Sequence, residues 1–331
     1  MNKVSAILCH HKGRDLLLKS IASLKAQKRV QLEIVVVTSD ATLELANIKT
    51  VLVQGGPAYK RNIGLRYAMY DLIAFFDDDI EAEPSCVYEM AKFLTDNQNV
   101  GMVFGKLLNM EKRDRFDEAG SFLTDTGFLL ARAGIEKVDT GQFDTAEPIL
   151  SGKSASCMIT RNAFIDAGMF DADFFILGEE TDLAWRVWMQ GYSVYYVPSS
   201  ICLHAFNTKW KPVDYYSLKR IYTFGCRNYL TMLTKNLPSN RLTMALFCQF
   251  SAWILSAIGM ACVGKFGAGF HILKGLYEYL KSLPATLRKR RKVQGAMLVS
   301  HPDILQYIVK NPGWRYYAWR FLRYLKVGLH G

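Results

Sequence analysis

Short apolar runs alternate with amphipathic stretches through the first hundred residues. Val4–Cys9 is an uninterrupted strand-like run. Arg14–Gln27 then places Leu17, Ile21 and Leu24 on one face at helical spacing. Glu33–Val37 is rich in β-branched residues and reads as a strand buried on both faces. Thr50–Val53 is a further short strand, and Gly55-Gly56-Pro57 is a turn that opens a helix through Tyr70, with Pro57 near its first position. Leu72–Phe76 predicts a strand that runs straight into Asp77-Asp78-Asp79, followed by a helix over Pro84–Asn97 and a strand over Gly101–Phe104. Repeated β-α-β order predicts an α/β fold with a mainly parallel, doubly wound sheet. Ligands of such sheets bind beyond the carboxyl ends of the strands, and Asp40 and Asp77–Asp79 fall at or just after two of those ends.

The pattern weakens over 105–150, which reads as loops and short strands. Ala155–Thr160 is strand-like, Arg161–Gly168 and Glu179–Gln190 are helical, and Ser193–Val197 is a strand closed by Pro198. Beyond about residue 211 the character changes. Leu242–Gly264 runs without a charged side chain and is long enough to cross a bilayer. An amphipathic piece follows (His271–Leu283), then the basic run Arg288-Lys289-Arg290-Arg291-Lys292. In the tail, Trp314, Tyr316, Tyr317 and Trp319 alternate with arginines over Trp314–Lys326.

Charge sharpens this division. The chain has 331 residues and a net charge of +11. Residues 1–210 hold 22 Lys plus Arg against 27 Asp plus Glu, whereas residues 211–331 hold 19 against 3. We therefore expect two parts, a catalytic domain over 1–210 and a basic helical region over 211–331 that seeks a polyanion. No nucleic-acid-binding motif is present, and nucleic acid would leave the apolar stretch unexplained, so an anionic membrane surface is the expected partner. A single crossing would put the basic run outside, against the positive-inside tendency, so an in-plane or re-entrant segment on the cytoplasmic face is expected, peripheral or monotopic. The seven cysteines form no CxxC pair, and the chain begins directly with a strand-like run rather than a signal peptide. Reduced thiols in the cytosol are expected.

Three clusters carry candidate chemistry. Consecutive carboxylates after an apolar strand repel one another unless a cation neutralises them. An Asp-x-Asp pair (Asp77 and Asp79) suits Mg²⁺ or Mn²⁺ and, through it, a diphosphate. Gly178-Glu179-Glu180-Thr181-Asp182-Leu183 opens a helix; its acids either favour the helix dipole or supply a general base. His204 follows the last strand and is either structural or an imidazole ligand to the same metal.

Taken in order, these residues resemble the family two glycosyltransferases over about residues 1–207. The resemblance implies a nucleotide-sugar-binding GT-A fold. Gly56-Pro57-Ala58-Tyr59-Lys60-Arg61-Asn62-Ile63-Gly64 is similar to the family's Gly-x-x-x-x-Arg-Asn-x-Gly helix, which lies near the nucleoside and diphosphate. It implies donor binding by Gly56, Arg61, Asn62, Asp77 and Asp78, with the nucleotide-base contact either moved to Asp40 or weakened, because the strand end reads Thr38-Ser39-Asp40. Asp77, Asp79 and His204 are implied as metal ligands. Ser151-Gly152 and Gly168-Met169-Phe170-Asp171 resemble acceptor-side elements, which implies acceptor-side roles for Gly152 and Asp171, and for Trp185 on the following helix. Glu179-Glu180-x-Asp182-Leu183 resembles the motif that supplies the base. Glu180 is the position implied, with Glu179 and Asp182 as the other candidates. The expected activity is an inverting transfer from a nucleotide-diphosphate sugar to a saccharide or lipid-linked acceptor in polysaccharide or glycolipid assembly. The alternatives are nucleotidyl or phosphoryl transfer at the same metal, or a non-catalytic carbohydrate-binding protein.

Overall fold

A computed structural model describes residues 1–11, 13–133, 137–205 and 219–318. The expected domain boundary at 210 and the tail residue Trp319 lie outside the described residues.

The first strands form as their β-branched composition requires. β1 (Asn2–His10) pairs in parallel with β2 (Val30–Thr38) and β4 (Leu72–Asp77), and β2 pairs in parallel with β3 (Lys49–Leu52). Side chains alternate across this sheet with period two. Ile7, Val35, Val37, Ile73 and Phe75 point to one face, where α2 (Pro57–Leu65), α4 (Arg161–Asp166) and α5 (Glu179–Met189) cover them. Val4, Ala6, Leu8, Val36, Ala74 and Phe76 point to the other, under α1 (Arg14–Lys25) and α3 (Cys86–Asp96). The result is a three-layer α/β/α domain. Helix α2 lies close against β1: a Cβ on Gly64 would meet Ile7 Cγ2 at 2.5 Å.

The sheet has ten strands, with the path β10-β12-β6-β11-β4-β1-β2-β3. Here β6 is Val100–Asn109, β10 is Glu147–Pro148, β11 is Ser156–Thr160 and β12 is Ser193–His204. β11 lies antiparallel between β4 and β6, which a reading of repeated β-α-β units does not anticipate. Two short strands, β5 (Ile80–Ala82) and β7 (Phe116–Glu118), branch from β12 and β6. The hairpin of β8 (Ser121–Leu123) and β9 (Leu129–Ala131) stands apart.

Pro198 does not close the last strand as expected. β12 continues to His204, with a register shift against β6 between Val197 and Ile201. A proline has no N–H for the ladder, so the chain bulges past it and resumes pairing. The bulge rests on Gly105, where a Cβ would come within 2.8 Å of the Ser200 carbonyl oxygen. This continuation carries His204 to the site.

Beyond residue 218 the described chain is helical. A π-helical turn (Lys219–Phe224) leads into α6 (Gly225–Asn236), α7 (Ser239–Cys262), α8 (Phe266–Gly295) and α9 (His301–Ile308). α8 absorbs the basic run, and part of that run serves the protein itself. Arg290 donates to the carbonyls of Thr234 and Leu237, and Gln294 to those of Lys235 and Asn236. These are the carbonyls that the end of α6 leaves unpaired. Lys289 pairs with Asp171 and Asp173, while Arg288, Arg291 and Lys292 stay exposed.

Candidate active site and metal centre

Parallel strands deliver the acids to one edge. Cys9 of β1 stands opposite Asp77 of β4, so Asp77–Asp79 emerge at the carboxyl end of the sheet beside the ends of β1 and β2. Antiparallel pairing of β5 with the end of β12 sets His204 opposite Ile80, one residue past Asp79. Ligand atoms of Asp77, Asp79 and His204 all lie within 4.8 Å of one another.

The donor set suits a hard divalent ion: two carboxylates and one imidazole, with room for oxygens of a ligand. Its surroundings fit as well. His204 Nε2 lies 3.3 Å from Asp79 Oδ1, while Nδ1 lies 2.8 Å from Asp117 Oδ2. A carboxylate on the far nitrogen fixes the tautomer and aims the near one at the metal position. Burial opposes the charged imidazole, but Asp117 and Asp79 outweigh it and lift its pKa to about 9. Asp117 is itself held by Lys153 at 2.6 Å. Sequence reasoning missed Asp117; only the β6–β7 pairing, absent from any periodic pattern, brings it under His204.

Asp78 turns away from the ligand set and accepts from the His11 backbone N–H at 3.3 Å. Burial, and then repulsion from Asp77 and Asp79, push its carboxyl up to about 7. His11 also meets Ser39, at 3.2 Å, on the rim of a cavity of about 570 Å³ bounded by Asp40 and Gln54. Asp40 Oδ1 accepts from the Thr42 N–H and hydroxyl in an Asx turn. Asp40 thus lines this cleft at the strand ends, and Asp78 holds His11 on its rim.

A buried cation joins this edge to the second acidic cluster. Arg61, only 2% exposed, places one guanidinium nitrogen 2.9 Å from Asp77 and the other 2.9 Å from Glu179. The acids expected around the metal and those expected to hold the base are thus one connected arrangement. Glu180, half-buried, follows Glu179 at the start of α5; burial and then the neighbouring Glu179 carboxylate raise its pKa well above the ordinary value. Gly56 gives the α2 N-terminus its close approach: a Cβ there would lie 2.4 Å from the Phe175 carbonyl oxygen.

Several expected site residues have partners within the frame. Arg61 is an internal clamp between the two acidic clusters. Asn62 spends both amide functions on Phe170, donating to its carbonyl at 2.8 Å and accepting from its N–H at 3.0 Å. Asp182, expected among the catalytic acids, lies one turn into α5 and is fully buried. Its Oδ2 accepts from Arg186 and Lys235, and its Oδ1 from Asn236. Helix α6 covers that turn of α5. Asp171 pairs with Lys235 and Lys289, and the three line a cavity of about 320 Å³. Trp185 is wholly inside the core. Gly152 is a packing position, where a Cβ would meet Phe104 at 2.9 Å. It sits beside Ser151, whose hydroxyl bonds that of Thr181 on α5.

Comparison with known proteins agrees with this geometry. A family model described as Glycosyl transferase family 2 matches residues 5–143. Among solved structures, the chain is similar to GalNAc-T7 with UDP, GalNAc and Mn²⁺ (TM-score 0.52, 13% identity). That alignment covers 75% of this chain and only 54% of the GalNAc-T7 chain. It is also similar to the mannosyltransferase PcManGT from Pyrobaculum calidifontis with GDP-Man and Mn²⁺ (TM-score 0.52, 13% identity), covering 98% of this chain and 85% of the other. No curated protein matches the sequence. The sheet and the acids at its carboxyl edge agree with these comparisons: the chain has a GT-A fold, and its residues 5–143 match the Glycosyl transferase family 2 model.

Proposed function

We propose that the protein transfers a sugar, with inversion, from a nucleotide-diphosphate donor to an acceptor hydroxyl at a membrane surface. The observation that carries this reading is the single chain of contacts from the Asp77, Asp79 and His204 ligand set through Arg61 to Glu179, next to Glu180. The cleft beside Asp40 and Asp78 is the donor pocket in this reading, and the start of α5 faces the acceptor. A divalent cation, Mn²⁺ or Mg²⁺, on Asp77, Asp79 and His204 would neutralise charge on the departing diphosphate. Arg61 keeps Glu179 paired, so the proton of the acceptor hydroxyl passes to Glu180. A raised pKa makes Glu180 a stronger base than an ordinary carboxylate. The acceptor oxygen forms its bond to the anomeric carbon as the bond to the diphosphate breaks on the opposite side.

The helical region, residues 219–318, is the membrane-facing part in this proposal, and residues 1–205 the catalytic part. Ser239–Cys262 is the one helix among the described residues that is long and apolar enough to cross a membrane. Its exposed side chains argue for lying on one: Met244, Phe247, Ile254, Leu255 and Ile258 face outward at helical spacing. α8 continues the same outward stripe with Phe266, Phe270, Leu273, Tyr277 and Leu280. Exposed Lys281, Arg288, Arg291 and Lys292 would meet anionic headgroups.

Screening nucleotide sugars for metal-dependent release of product tests the reaction. Free nucleoside diphosphate is expected; pyrophosphate would indicate nucleotidyl transfer instead. The anomeric proton signal of the product should show inverted configuration, and retention would rule out the single displacement.

A further inference from the structure

A separate cavity, of about 410 Å³, lies away from the strand ends, between the β8–β9 hairpin and helices α6 and α7. Ile221, Gly225 and Tyr229 form one wall, a single helical stripe that starts in the π-helical turn. Trp253 and Leu255 of α7 and Phe128 beside the hairpin also line it.

The lining is largely apolar, and its hydroxyl and amide groups bond within the protein. Tyr229 donates its hydroxyl to the Gly127 carbonyl at 2.6 Å, and Gln249 donates to the Thr126 carbonyl at 3.3 Å. The Tyr317 hydroxyl meets Thr126 Oγ1 at 3.0 Å. The hairpin turn takes these groups and leaves their carbon surfaces to the cavity.

Two observations identify the occupant of this cavity. Leu255 lines the cavity and is also 56% exposed, within the outward apolar stripe of α7, so the cavity is continuous with that stripe. The other side of α6 holds the loop that leads to the candidate base. Asn228 donates to the carbonyls of Phe174, Ile176 and Leu177, and Arg227 to those of Asp173 and Phe174. Phe224, next to Gly225, packs on Phe175 at 5.5 Å, and the Phe175 carbonyl abuts Gly56. One helix therefore separates an apolar cavity at the outward apolar face from the loop beside Gly56 and Glu179.

We infer that this cavity seats the aliphatic chain of a lipid-borne acceptor, so that the saccharide it carries reaches the start of α5. The inference rests on the glycosyl-transfer reading only for the identity of the headgroup; the chain site stands on the cavity. Its volume falls in the range of ligand sites that are lined mainly by apolar side chains.

Farnesyl phosphate bearing an aliphatic diazirine is the probe, used with the full-length protein. Photolabel should map to peptides containing Tyr229 and Trp253, and the probe should change tryptophan fluorescence. Gly225→Leu fills the cavity, since a Cβ there meets nothing within 4 Å. Displacing about two methylenes of bound chain should weaken the probe roughly tenfold. The efficiency of transfer to a chain-bearing acceptor, relative to a water-soluble saccharide, should fall by a similar factor. Ala252→Phe, from the facing wall, is the second variant, and a thermal melt reports whether each is folded. Labelling elsewhere, or unchanged affinity in both folded variants, overturns the inference. So does self-association of the wild type that Gly225→Leu abolishes, which would make the cavity a contact between copies. Tight labelling without release of nucleoside diphosphate from any donor would sink the transfer reading and leave the chain site. Transfer to soluble and chain-bearing acceptors alike, without labelling, would do the reverse.

Discussion

Replacing Lys235 by methionine should destabilise the protein in a way that depends on pH. Lys235 is 2% exposed and stands 2.6 Å from Asp171 and 2.9 Å from Asp182, tying α6 to α5 and to the loop before it. Methionine keeps most of the side-chain volume and removes the charge. Two buried carboxylates then lose a shared cation, although Asp182 keeps Arg186 and Asn236 and Asp171 keeps Lys289. Breaking a buried pair on one side costs about 3–5 kcal/mol at neutral pH, because the remaining charge stays buried. The sign with pH follows from the wild-type shifts. Burial works against both carboxylates, but Lys235 and its neighbours prevail and hold both pKa values below the ordinary aspartate range. Such groups stabilise the fold above the unfolded value of about 3.9, and that contribution is lost as pH falls through the folded values. In Lys235→Met the folded values rise, so wild type and variant should converge as pH drops below about 4. Denaturant unfolding at neutral and acidic pH measures both effects. A loss under about 1 kcal/mol, or one of equal size at both pH values, would show that packing rather than charge dominates here.

The other expectations concern the site. Glu180→Gln should abolish transfer while leaving nucleotide-sugar binding near normal; turnover within threefold of wild type would move the base elsewhere. With Glu180 intact, kcat/KM should decline as pH falls through its raised pKa, and the acidic limb should lie above the ordinary glutamate value of 4.5; a limb at or below that value would contradict the role. Asp117→Asn should weaken Mn²⁺ binding about 10–100-fold without removing a ligand, read by titration calorimetry, and unchanged affinity would free His204 from its dependence on Asp117. Gly56→Val should cost at least about 2 kcal/mol of stability, since its Cβ would strike the Phe175 carbonyl; an unshifted melting temperature would show that the loop yields.

The legible part of the fold was the part with strong periodicity. The apolar runs at Val4, Glu33 and Leu72 and the helical spacing of Leu17, Ile21 and Leu24 lie where the pattern puts them. Asp77 and Asp79 announce themselves because three acids after a buried strand have few structural uses. What stayed hidden depends on pairing between distant segments. The antiparallel insertion of β11 leaves no local trace, and the continuation of β12 past Pro198 is a bulge accommodated by Gly105. The ties of Asp182 to Lys235 and Asn236 were hidden as well, because they come from the packing of α6. Asp117 had no motif at all, and its position under His204 comes from a three-residue strand. The basic run was legible as charge but not as a cap on α6, since Arg290 needs the end of another helix nearby to do that work.

Diffraction from crystals soaked with Mn²⁺ and a nucleoside diphosphate, collected at a wavelength where manganese scatters anomalously, tests the metal centre most directly. One anomalous peak is expected, bonded to Asp77, Asp79 and His204 and to the diphosphate, with Glu180 open to the space beyond. Diphosphate bound without manganese at those three residues, or manganese bound elsewhere, would contradict it.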